Sequence, residues 1–493
     1  MPRPASAFPF FTATAMLTTA LLTACSDPST PTRLLAPGAP RRTEIMSAPV
    51  VNSLADDGDG TCTDTKCTLR DAISFASPAA SITFSVTGTI TLVQGYLTVP
   101  KSLTISGPGA DRLAIDGNHQ SREFLVLDVP DASISGLTMR NGYQSTQVAH
   151  VGGGIYNLGS LTLSDVTILG NYADGGGGIW NDRSGVLIVS RSTISGNSSN
   201  VCCGGIANAG IARITNSTIS GDSSLTEGGI SNFGSLTLVN STVSGNITKG
   251  GGTGTFRGGG IAVLGPTTLI NTIVANNPTG SDCGEPGSGV PTDGGYNIAD
   301  DTTCGFTAVT SHSNMDPQLD PTGLVPNGGP TSTIALLSKS PAIDVIPPGT
   351  NGCGTGITTD QRGVTRPFGA GCDVGAYEAN YKGFLPPINN ARTTPIHPGA
   401  GVPVQFTLGG FRGLDIFAAG SPNSVGITCP LSAGSGDVVL TDTPGNSGLS
   451  YDAATDTYTY VWKTEKAWAG TCRRLVVSFG DGSVRTADFA FVR

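Results

Sequence analysis

Charged residues are scarce in this sequence, and their scarcity limits what the protein binds. Only 13% of the 493 residues are charged, with 27 Lys and Arg against 36 Asp and Glu, so the net charge is −9. A nucleic-acid-binding surface neutralises phosphates with basic side chains, and we therefore expect no nucleic-acid partner. The four histidines do not lie at ligand spacing from the cysteines, so we predict no metal site and no cofactor.

Helical periodicity and membrane-spanning runs are lacking as well. The central part of the chain has no apolar residues at sustained helical spacing, and its many Gly, Asn and Ser residues disfavour helix. After residue 25, no segment is apolar over a length that spans a bilayer. The motifs G-x-S-x-G, H-E-x-x-H and the P-loop are absent. These absences favour an all-β protein without the common hydrolase or nucleotide-binding sites.

What the sequence does contain is a glycine-rich repeat. A Gly-Gly-Ile step occurs five times, and each copy leads into a Thr-Ile or Thr-Val pair and a small turn. The steps lie 24 to 31 residues apart, and their isoleucines are Ile155, Ile179, Ile206, Ile230 and Ile261. One such repeat cannot bury its apolar side alone, so repeats of this length indicate a solenoid.

Each copy of the repeat predicts short strands. Apolar and polar residues alternate, as around Leu161 and Leu163, and this period is typical of strands. Three strands in about 25 residues would form one coil of a right-handed parallel β-helix, and about 300 residues would give on the order of 12 coils. Glycine before each strand and asparagine after it tolerate left-handed turns. We expect such turns at Asn171, Asn197, Asn246 and Asn276.

The N-terminus carries the features of a bacterial export signal, residues 1–24. Arg3 precedes an apolar segment, and the last residues before Cys25 resemble a lipobox. We predict a lipoprotein held to the membrane through lipidated Cys25, at the outer membrane or cell surface. The alternative is an ordinary secretory signal and a secreted protein. Residues 25–48, with several Pro, Ser and Thr, are typical of a flexible tether.

Ten cysteines remain if Cys25 is lipidated, an even number that suits an oxidising compartment. Connectivity does not follow from sequence alone, but proximity along the chain suggests four disulfides and leaves the adjacent Cys202 and Cys203. The suggested pairs are Cys62–Cys67, Cys283–Cys304, Cys353–Cys372 and Cys429–Cys472.

A short helix is predicted before the repeats, within a cap at residues 49–80. Thr68 and Asp71 form a capping-box pattern, and four apolar residues follow at helical spacing: Leu69, Ala72, Ile73 and Ala76. Such a helix would cover the strand edges at the open end of a β-helix. The nearby acidic run does not match a calcium-binding EF-hand loop, and we interpret it as a turn: Asp56, Asp57 and Asp59.

Two segments of the chain resemble one family of bacterial surface proteins. One lies in the cap and the other in the predicted β-helix region, residues 81–380. Residues 67–72, CTLRDA, are similar to the CSLREA motif, with Thr for Ser and Asp for Glu. Residues 327–378, which include TDQRGVTRPFGAGCDVGAYE, look like the choice-of-anchor Q domain that accompanies this motif. The resemblance covers residues 51–378, with the generic repeats 152–278 between. We interpret Asp360, Arg362 and Arg366 as ties between loops rather than as a polar site.

A third module is predicted at residues 381–493. Alternating segments such as VPVQFTL, DVVLTD, DTYTYVW and RRLVVSF predict strands, and Asp481-Gly482 predicts a hairpin turn. With Cys429 and Cys472 able to join two sheets, the pattern favours an immunoglobulin-like β-sandwich. The segment from Pro403 resembles the PxKF-type domain of secreted bacterial proteins, with Gln405 in place of Lys. We interpret Trp462 and Trp468 as packing residues.

One polar patch is a candidate for chemistry: Asp116, His119, Arg122 and Glu123, after a predicted strand. An ordinary coil turn uses the same residue types, and we favour that interpretation. Acidic residues within 152–278 are few and do not recur on equivalent strands, and the G-H-G and R-I-K signatures of polygalacturonases are absent. We therefore assign no catalytic residue.

The sequence as a whole favours a non-enzymatic, surface-tethered β-helix protein that serves adhesion or surface recognition. Its partner would be a glycan or another cell-surface ligand. Two alternatives remain open, because a fold alone does not specify function. One is a polysaccharide lyase or glycoside hydrolase of the β-helix type, and the other is a structural envelope protein.

Overall fold

Most of the chain after residue 47 is described by a computed structural model. The described residues are 48–144, 150–250, 258–284, 289–337, 340–379, 384–388, 392–408, 413–429, 438–440, 448–452, 455, 457–479 and 484–492. The predicted signal peptide, Cys25 and the tether up to residue 47 lie outside them. The chain divides into two compact units, one up to residue 317 with 330–332 and 374–376, the other made of 318–329, 333–373 and 377–493.

The first unit is a solenoid of stacked parallel strands. Its two largest sheets have ten and nine strands, and each strand pairs with its equivalent in the next coil. Sheet 1 consists of Val50–Val51, Ala80–Phe84, Leu103–Ser106, Ala132–Ser135, Ser160–Ser164, Val186–Ser190, Ile211–Thr215, Ser235–Val239, Thr267–Ile270 and Thr292–Asp293. Sheet 2 consists of Gly88–Thr91, Leu113–Asp116, Thr138–Arg140, Thr167–Leu169, Thr193–Ser195, Thr218–Ser220, Thr242–Ser244, Ile273–Ala275 and Ile298–Ala299.

Two shorter sheets complete the coils. Sheet 3 has seven strands, Leu97–Val99, Phe124–Val126, Ile155–Asn157, Ile179–Asn181, Ile206–Asn208, Ile230–Asn232 and Ile261–Val263. Sheet 4 has five, Tyr143–Gln144, Tyr172–Gly175, Ser198–Cys202, Ser223–Ser224 and Ile247–Thr248. The predicted parallel β-helix built from the repeats is confirmed. Its number of coils was overestimated, because the solenoid has about eight turns and residues 318–379 add no coil strand to it.

The isoleucines of the Gly-Gly-Ile steps form the inner row of sheet 3. Ile155, Ile179, Ile206, Ile230 and Ile261 lie in register from coil to coil and are fully buried. The glycines before them are required by close approach between coils. A Cβ atom on Gly177 would overlap the carbonyl oxygens of Ser198 and Gly204. The repeat therefore encodes an apolar ladder and the backbone contact beside it.

Asparagines form two buried ladders in the coils, and one of them corrects an expectation from the sequence. In sheet 3, the Nδ2 of each asparagine donates to the Oδ1 of the next at 2.7 Å, through Asn157, Asn181, Asn208 and Asn232. Asn171, Asn197 and Asn246 were expected in left-handed turns, but they are fully buried members of a second ladder. The glycines that precede them have positive φ instead. Of the four predicted asparagines only Asn276 is left-handed, because it takes the place of such a glycine.

One member of the second ladder is a carboxyl group. Asp222 Oδ1 accepts from the Nδ2 of Asn197 at 2.9 Å, while its Oδ2 makes no hydrogen bond with the described residues. At that place in the ladder, the Nδ2 of Asn197 and of Asn246 each donate to a backbone carbonyl, at 3.1 Å. Burial raises the pKa of Asp222 to about 8. A protonated Asp222 therefore replaces asparagine at this position.

The predicted capping helix spans Leu69–Phe75. The Thr68 Oγ1 donates to the Asp71 Oδ2 at 2.6 Å and accepts from the Asp71 backbone N–H. All four predicted apolar residues of the helix are buried and belong to the core of the coils. Two 3-10 turns, Thr350–Gly352 and Lys466–Trp468, are the other helical elements among the described residues. None of these helices is long enough to cross a membrane.

Residues 318–379 of the second unit contain one antiparallel strand pair, Leu319–Val325 and Thr333–Leu336. All four predicted disulfides are formed, joining Cys62 to Cys67, Cys283 to Cys304, Cys353 to Cys372 and Cys429 to Cys472. Cys202 and Cys203 are buried and belong to none of them.

The C-terminal part of the second unit has two further sheets around one apolar core. One consists of Thr394–Ile396, Asn423–Ile427, Val438–Leu440, Cys472–Ser478 and Val484–Phe491, and the other of Gly401–Phe406, Ser450–Asp452 and Thr457–Lys463. The four predicted strands are present. Ser478 pairs with Val484 across a hairpin, while Asp481 and Gly482 lie outside the described residues. Trp462 is fully buried, and Trp468 packs on it with ring centroids 5.8 Å apart.

Candidate functional site

The four residues of the predicted polar patch have separate surroundings. Asp116 accepts from the Nε of Arg140 at 3.0 Å and from the Nδ2 of Asn141 at 2.9 Å. Arg122 is buried, with its guanidinium 5.5 Å from the ring centroid of Tyr96 and 5.2 Å from that of Tyr156. His119 is exposed, whereas Glu123 is fully buried. The patch therefore does not present its four side chains together on the surface.

Glu123 fills a gap in the second asparagine ladder. Gly142 lies in register with Asn171, and a Cβ atom on Gly142 would come within 2.9 Å of both carboxyl oxygens of Glu123. Neither oxygen has a well-formed hydrogen bond to a described residue. Burial, with a smaller contribution from the negative charge of Asp116, raises the pKa of Glu123 well above its ordinary value. The buried carboxyl group of Glu123 therefore packs in the coil interior.

The other acidic residues of interest are neutralised by basic neighbours. Asp165 pairs with the guanidinium of Arg191 in the next coil. In the N-terminal cap, Asp56 accepts from Arg70 and from two backbone N–H groups, those of Val93 and Gln94. Two more carboxylates of the cap bind the ammonium group of Lys66 at 2.6 Å, those of Asp57 and Asp59. These pairs satisfy the carboxylates that a calcium ion would use.

Residues 360–378 form a buried ionic network within the second unit. Asp360 accepts from the Nε of Arg362 at 2.9 Å, and Arg366 donates to the Oε2 of Glu378 at 3.0 Å. The Asp373 carboxylate accepts from the backbone N–H of Asp344. All these charged side chains except Asp344 are at most 8% exposed. The network joins loops of this segment and leaves no charged group of it open to a ligand.

A pair of stacked tyrosines lies on the outer face of sheet 4. Tyr143 and Tyr172 are in register on adjacent coils, with ring centroids 5.0 Å apart and an interplanar angle of 13°. Both are partly exposed, while the neighbouring Gln144 and Ala173 point inward and are buried. The strand alternation therefore places two aromatic faces side by side on the outside of the coils.

Polar groups flank this pair. Asp174 lies two residues after Tyr172 on the same face, and its Oδ2 is 3.4 Å from the Nδ1 of His150. The side chain of Asn200, on the next coil, forms a hydrogen bond with the Tyr172 side chain. Partial burial, together with the charge of Asp174, raises the pKa of the Tyr172 hydroxyl. The hydroxyl thus stays protonated at neutral pH and is a hydrogen-bond donor. We call these five residues the tyrosine patch: Tyr143, His150, Tyr172, Asp174 and Asn200.

The tyrosine patch was not predicted from the sequence, although the sequence contains a local signal for it. Tyr143 ends the segment RNGY and Tyr172 ends LGNY, and both segments follow a strand of sheet 2. The next two copies have Ser after the equivalent Asn or Asp, at Ser198 and Ser223, and the copy after them has Ile247. A comparison of the copies at this position would have aligned the two aromatic residues. Their stacking depends on the distance between successive coils, which cannot be read from the sequence.

Comparisons of the chain with models of protein families, with curated proteins and with solved structures found no match.

Proposed function

We propose that this protein is an exported, surface-tethered β-helix whose outer face recognises a glycan. The observation that carries the proposal is the partly exposed Tyr143–Tyr172 stack with hydrogen-bonding groups beside it. Aromatic faces provide a large apolar surface with little loss of side-chain freedom, and the flanking polar groups can orient a ligand. A sugar ring presents apolar C–H groups on one side and hydroxyls around its edge, so it matches both parts of the tyrosine patch.

The remaining parts of the chain fit a tethered recognition protein. In this proposal Cys25 carries the lipid, residues 26–48 are the tether, and the coils, wound right-handedly, extend the tyrosine patch away from the membrane. The CSLREA-like and choice-of-anchor Q-like segments support a bacterial surface protein, and the disulfides suit an oxidising compartment. The two C-terminal sheets, joined to one core, support an immunoglobulin-like domain of the PxKF type.

A polysaccharide lyase or glycoside hydrolase is the second candidate, because His150, Tyr172 and Asp174 are also residue types of acid–base catalysis. The raised pKa of Tyr172 speaks against its use as a base. The paired carboxylates that glycosidases require are not offered by Asp116 or Asp165, since each is bound to an arginine. Binding without turnover is therefore the function that the geometry supports best.

The test is binding and turnover of a panel of soluble polysaccharides by the purified protein. We expect saturable binding without new reducing or unsaturated ends. Tyr172→Ala removes one face of the stack and should weaken binding about fivefold, since a stacking contact contributes about 1 kcal/mol. Tyr172→Phe keeps the face and should weaken it less. Ser223→Ala, on the same face two coils away, is the control that should leave binding unchanged.

Each of the other outcomes identifies a different function. New unsaturated or reducing ends would establish the enzyme and overturn the proposal. If the protein neither binds nor cleaves any polysaccharide, on cells or in isolation, the remaining function is that of a structural envelope protein, and the proposal is overturned. The tether is tested separately, because labelled palmitate should enter the wild-type protein and not Cys25→Ser.

A further inference from the structure

A second cluster of chemically reactive side chains lies beside sheet 3, apart from the tyrosine patch. Within the described residues, the Sγ atoms of Cys202 and Cys203 and a carboxylate oxygen of Glu227 all lie within 4.8 Å of one another. The three residues are between 0 and 2% exposed. They come from successive coils, since the backbone N–H of Gly204 donates to the carbonyl of Glu227 at 3.0 Å. The solenoid thus stacks a vicinal cysteine pair against a buried acid.

The register of the repeat shows what is unusual at this place. Cys203 and Glu227 stand before the Gly-Gly-Ile step, where two earlier copies have Gly152 and Gly176. Both glycines are left-handed, with φ of 66° and 61°, and Cys203 keeps that conformation with φ of 69°. A side chain at such a φ is strained, and strain of this kind concentrates at functional sites. A glycine at this position would be free of the strain. The strain is therefore present only because the position carries a cysteine side chain.

The surroundings of the cluster suit a metal ion. Glu227 forms hydrogen bonds with the hydroxyl of Thr226 and with the backbone N–H of Cys203, and no described basic side chain forms an ion pair with it. A buried carboxylate without a cation is costly. The outer row of sheet 3 also changes from Tyr156 and Trp180 to small residues at the coils of the cluster, Ala207 and Ser231. The cluster is therefore dry, acidic and bordered by small side chains.

We propose that Cys202, Cys203 and Glu227 bind one thiophilic divalent cation of the zinc group and thereby clasp two successive coils together. Thiolate and carboxylate are ligands of Zn²⁺, at about 2.3 Å for sulfur and about 2.0 to 2.2 Å for oxygen. Tetrahedral angles then separate the donors by about 3.5 to 3.8 Å, so the three groups must approach one another by about 1 Å at most. Each thiol loses its proton on binding, and the fourth position remains for water.

The hydrogen bonds to Glu227 give the site its supporting groups. The hydroxyl of Thr226 would hold the carboxylate in place, as outer partners orient metal ligands elsewhere. The sequence predicts no metal site, because no histidine lies at ligand spacing from the cysteines. Cys203 and Glu227 are separated by a whole coil, and only the stacking of coils makes them neighbours.

The test uses the purified full chain, with the thiols of Cys202 and Cys203 reduced and counted by a thiol reagent. Titration with Cd²⁺ should produce sulfur-to-metal charge-transfer absorption in the ultraviolet that saturates at one ion per chain, and Zn²⁺ should compete with it. Cys202→Ser and Cys203→Ser should each abolish the band, and Glu227→Gln should weaken binding at least tenfold. Asp222→Asn removes another buried acid of the same coil and should leave binding unchanged.

Thermal unfolding provides a readout that is independent of absorption. Zn²⁺ should raise the Tm of the wild-type chain and not that of Cys203→Ser, because a ligand that binds the folded state stabilises it. Absence of the band with both thiols reduced would overturn the proposal, as would a band that persists in the serine variants. A Cys202–Cys203 disulfide that reforms in the presence of Zn²⁺ would overturn it as well, since the disulfide removes both thiolates.

Discussion

The coils and the two C-terminal sheets bury their interiors in different ways. In the coils, identical or similar residues repeat along each ladder, and buried asparagines run parallel to the isoleucines. Phe124 is the one fully buried aromatic residue in the apolar core of the described coils. The C-terminal sheets instead pack a single aromatic cluster that contains Phe406, Tyr458, Trp462 and Phe489.

This difference predicts different responses to damage. A coil interacts mainly with the coils above and below it, so the loss of one ladder contact should be felt locally. The aromatic cluster joins strands of both sheets to one core, so the loss of one ring should affect both sheets. Four substitutions test this comparison, beginning with the one for which we expect the largest effect.

Trp462→Ala should cost the C-terminal sheets about 3 to 5 kcal/mol, because it removes a fully buried ring. The ring lies 5.2 Å from that of Phe489 and 6.1 Å from that of Phe491. Hydrogen exchange read by mass spectrometry should show lost protection throughout residues 401–491 and unchanged protection in residues 155–275. Trp468→Ala, at a partly exposed ring, is the milder control. Equal loss in the coils would contradict the comparison.

Asn208→Ala should destabilise the coils by about 2 to 3 kcal/mol, because it leaves buried partners without a hydrogen bond. The Nδ2 of Asn208 donates to the Oδ1 of Asn232 and to the Ser235 carbonyl, at 2.7 and 3.0 Å. Urea unfolding gives the free energy, and hydrogen exchange should locate the loss in the coils on either side. Ser235→Ala, at an exposed hydroxyl of the same turn, is the matched control. Loss spread evenly over all coils would refute a local ladder.

Asp222→Asn should change the stability little at pH 4 and stabilise the protein increasingly above it, by at most about 1.4 kcal/mol per pH unit up to pH 8. The folded state holds the Asp222 proton up to a pKa of about 8, whereas the ordinary value is 3.8. Between these values only the folded state binds this proton, so the free energy of unfolding falls as the pH rises. Asparagine removes this dependence and restores the Nδ2 donor of the ladder.

Urea unfolding of the wild type and of Asp222→Asn across this pH range measures the difference. Asn246→Asp places a carboxyl at the next position of the ladder, and it should show the opposite change, with stability lost as the pH rises. A constant difference between wild type and Asp222→Asn at every pH would show that Asp222 does not hold a proton in the folded state.

Thr68→Ala should have the smallest effect, about 1 kcal/mol, because it removes one helix cap. The Thr68 hydroxyl bonds both the backbone N–H and the carboxylate of Asp71. Exchange of residues 69–76 should accelerate, while the coils further along keep their protection. Thr68→Ser retains the hydroxyl and should behave as wild type. A defect of the same size in both variants would assign the effect to the methyl group rather than to the cap.

Much of the fold could be predicted from the sequence, because its determinants are local. The alternation around Leu161 and Leu163, the Gly-Gly-Ile step and the capping pair Thr68–Asp71 each act within a few residues of the chain. The disulfides followed from proximity. The number of coils was wrong, because residues 318–379 carry no repeat and were counted as coils on length alone.

The sites were harder to predict, because their residues come from different coils. Asn171 and Asn197 have the composition of a turn, and only the register between coils makes them ladder partners. The polar patch around Asp116 is contiguous in sequence, yet its side chains point to different environments.

The sequence by itself determined an all-β solenoid with a capping helix and a separate C-terminal pair of sheets, and it suggested the four disulfides. Periodicity, turn residues and caps operate along the chain, and they can be read along it. The tertiary structure alone decided which side chains meet across coils: Tyr143 with Tyr172, Asp222 with Asn197, and Cys203 with Glu227. Neighbours in a solenoid are separated by one whole coil of variable length, so the register that pairs them exists only once the coils are stacked.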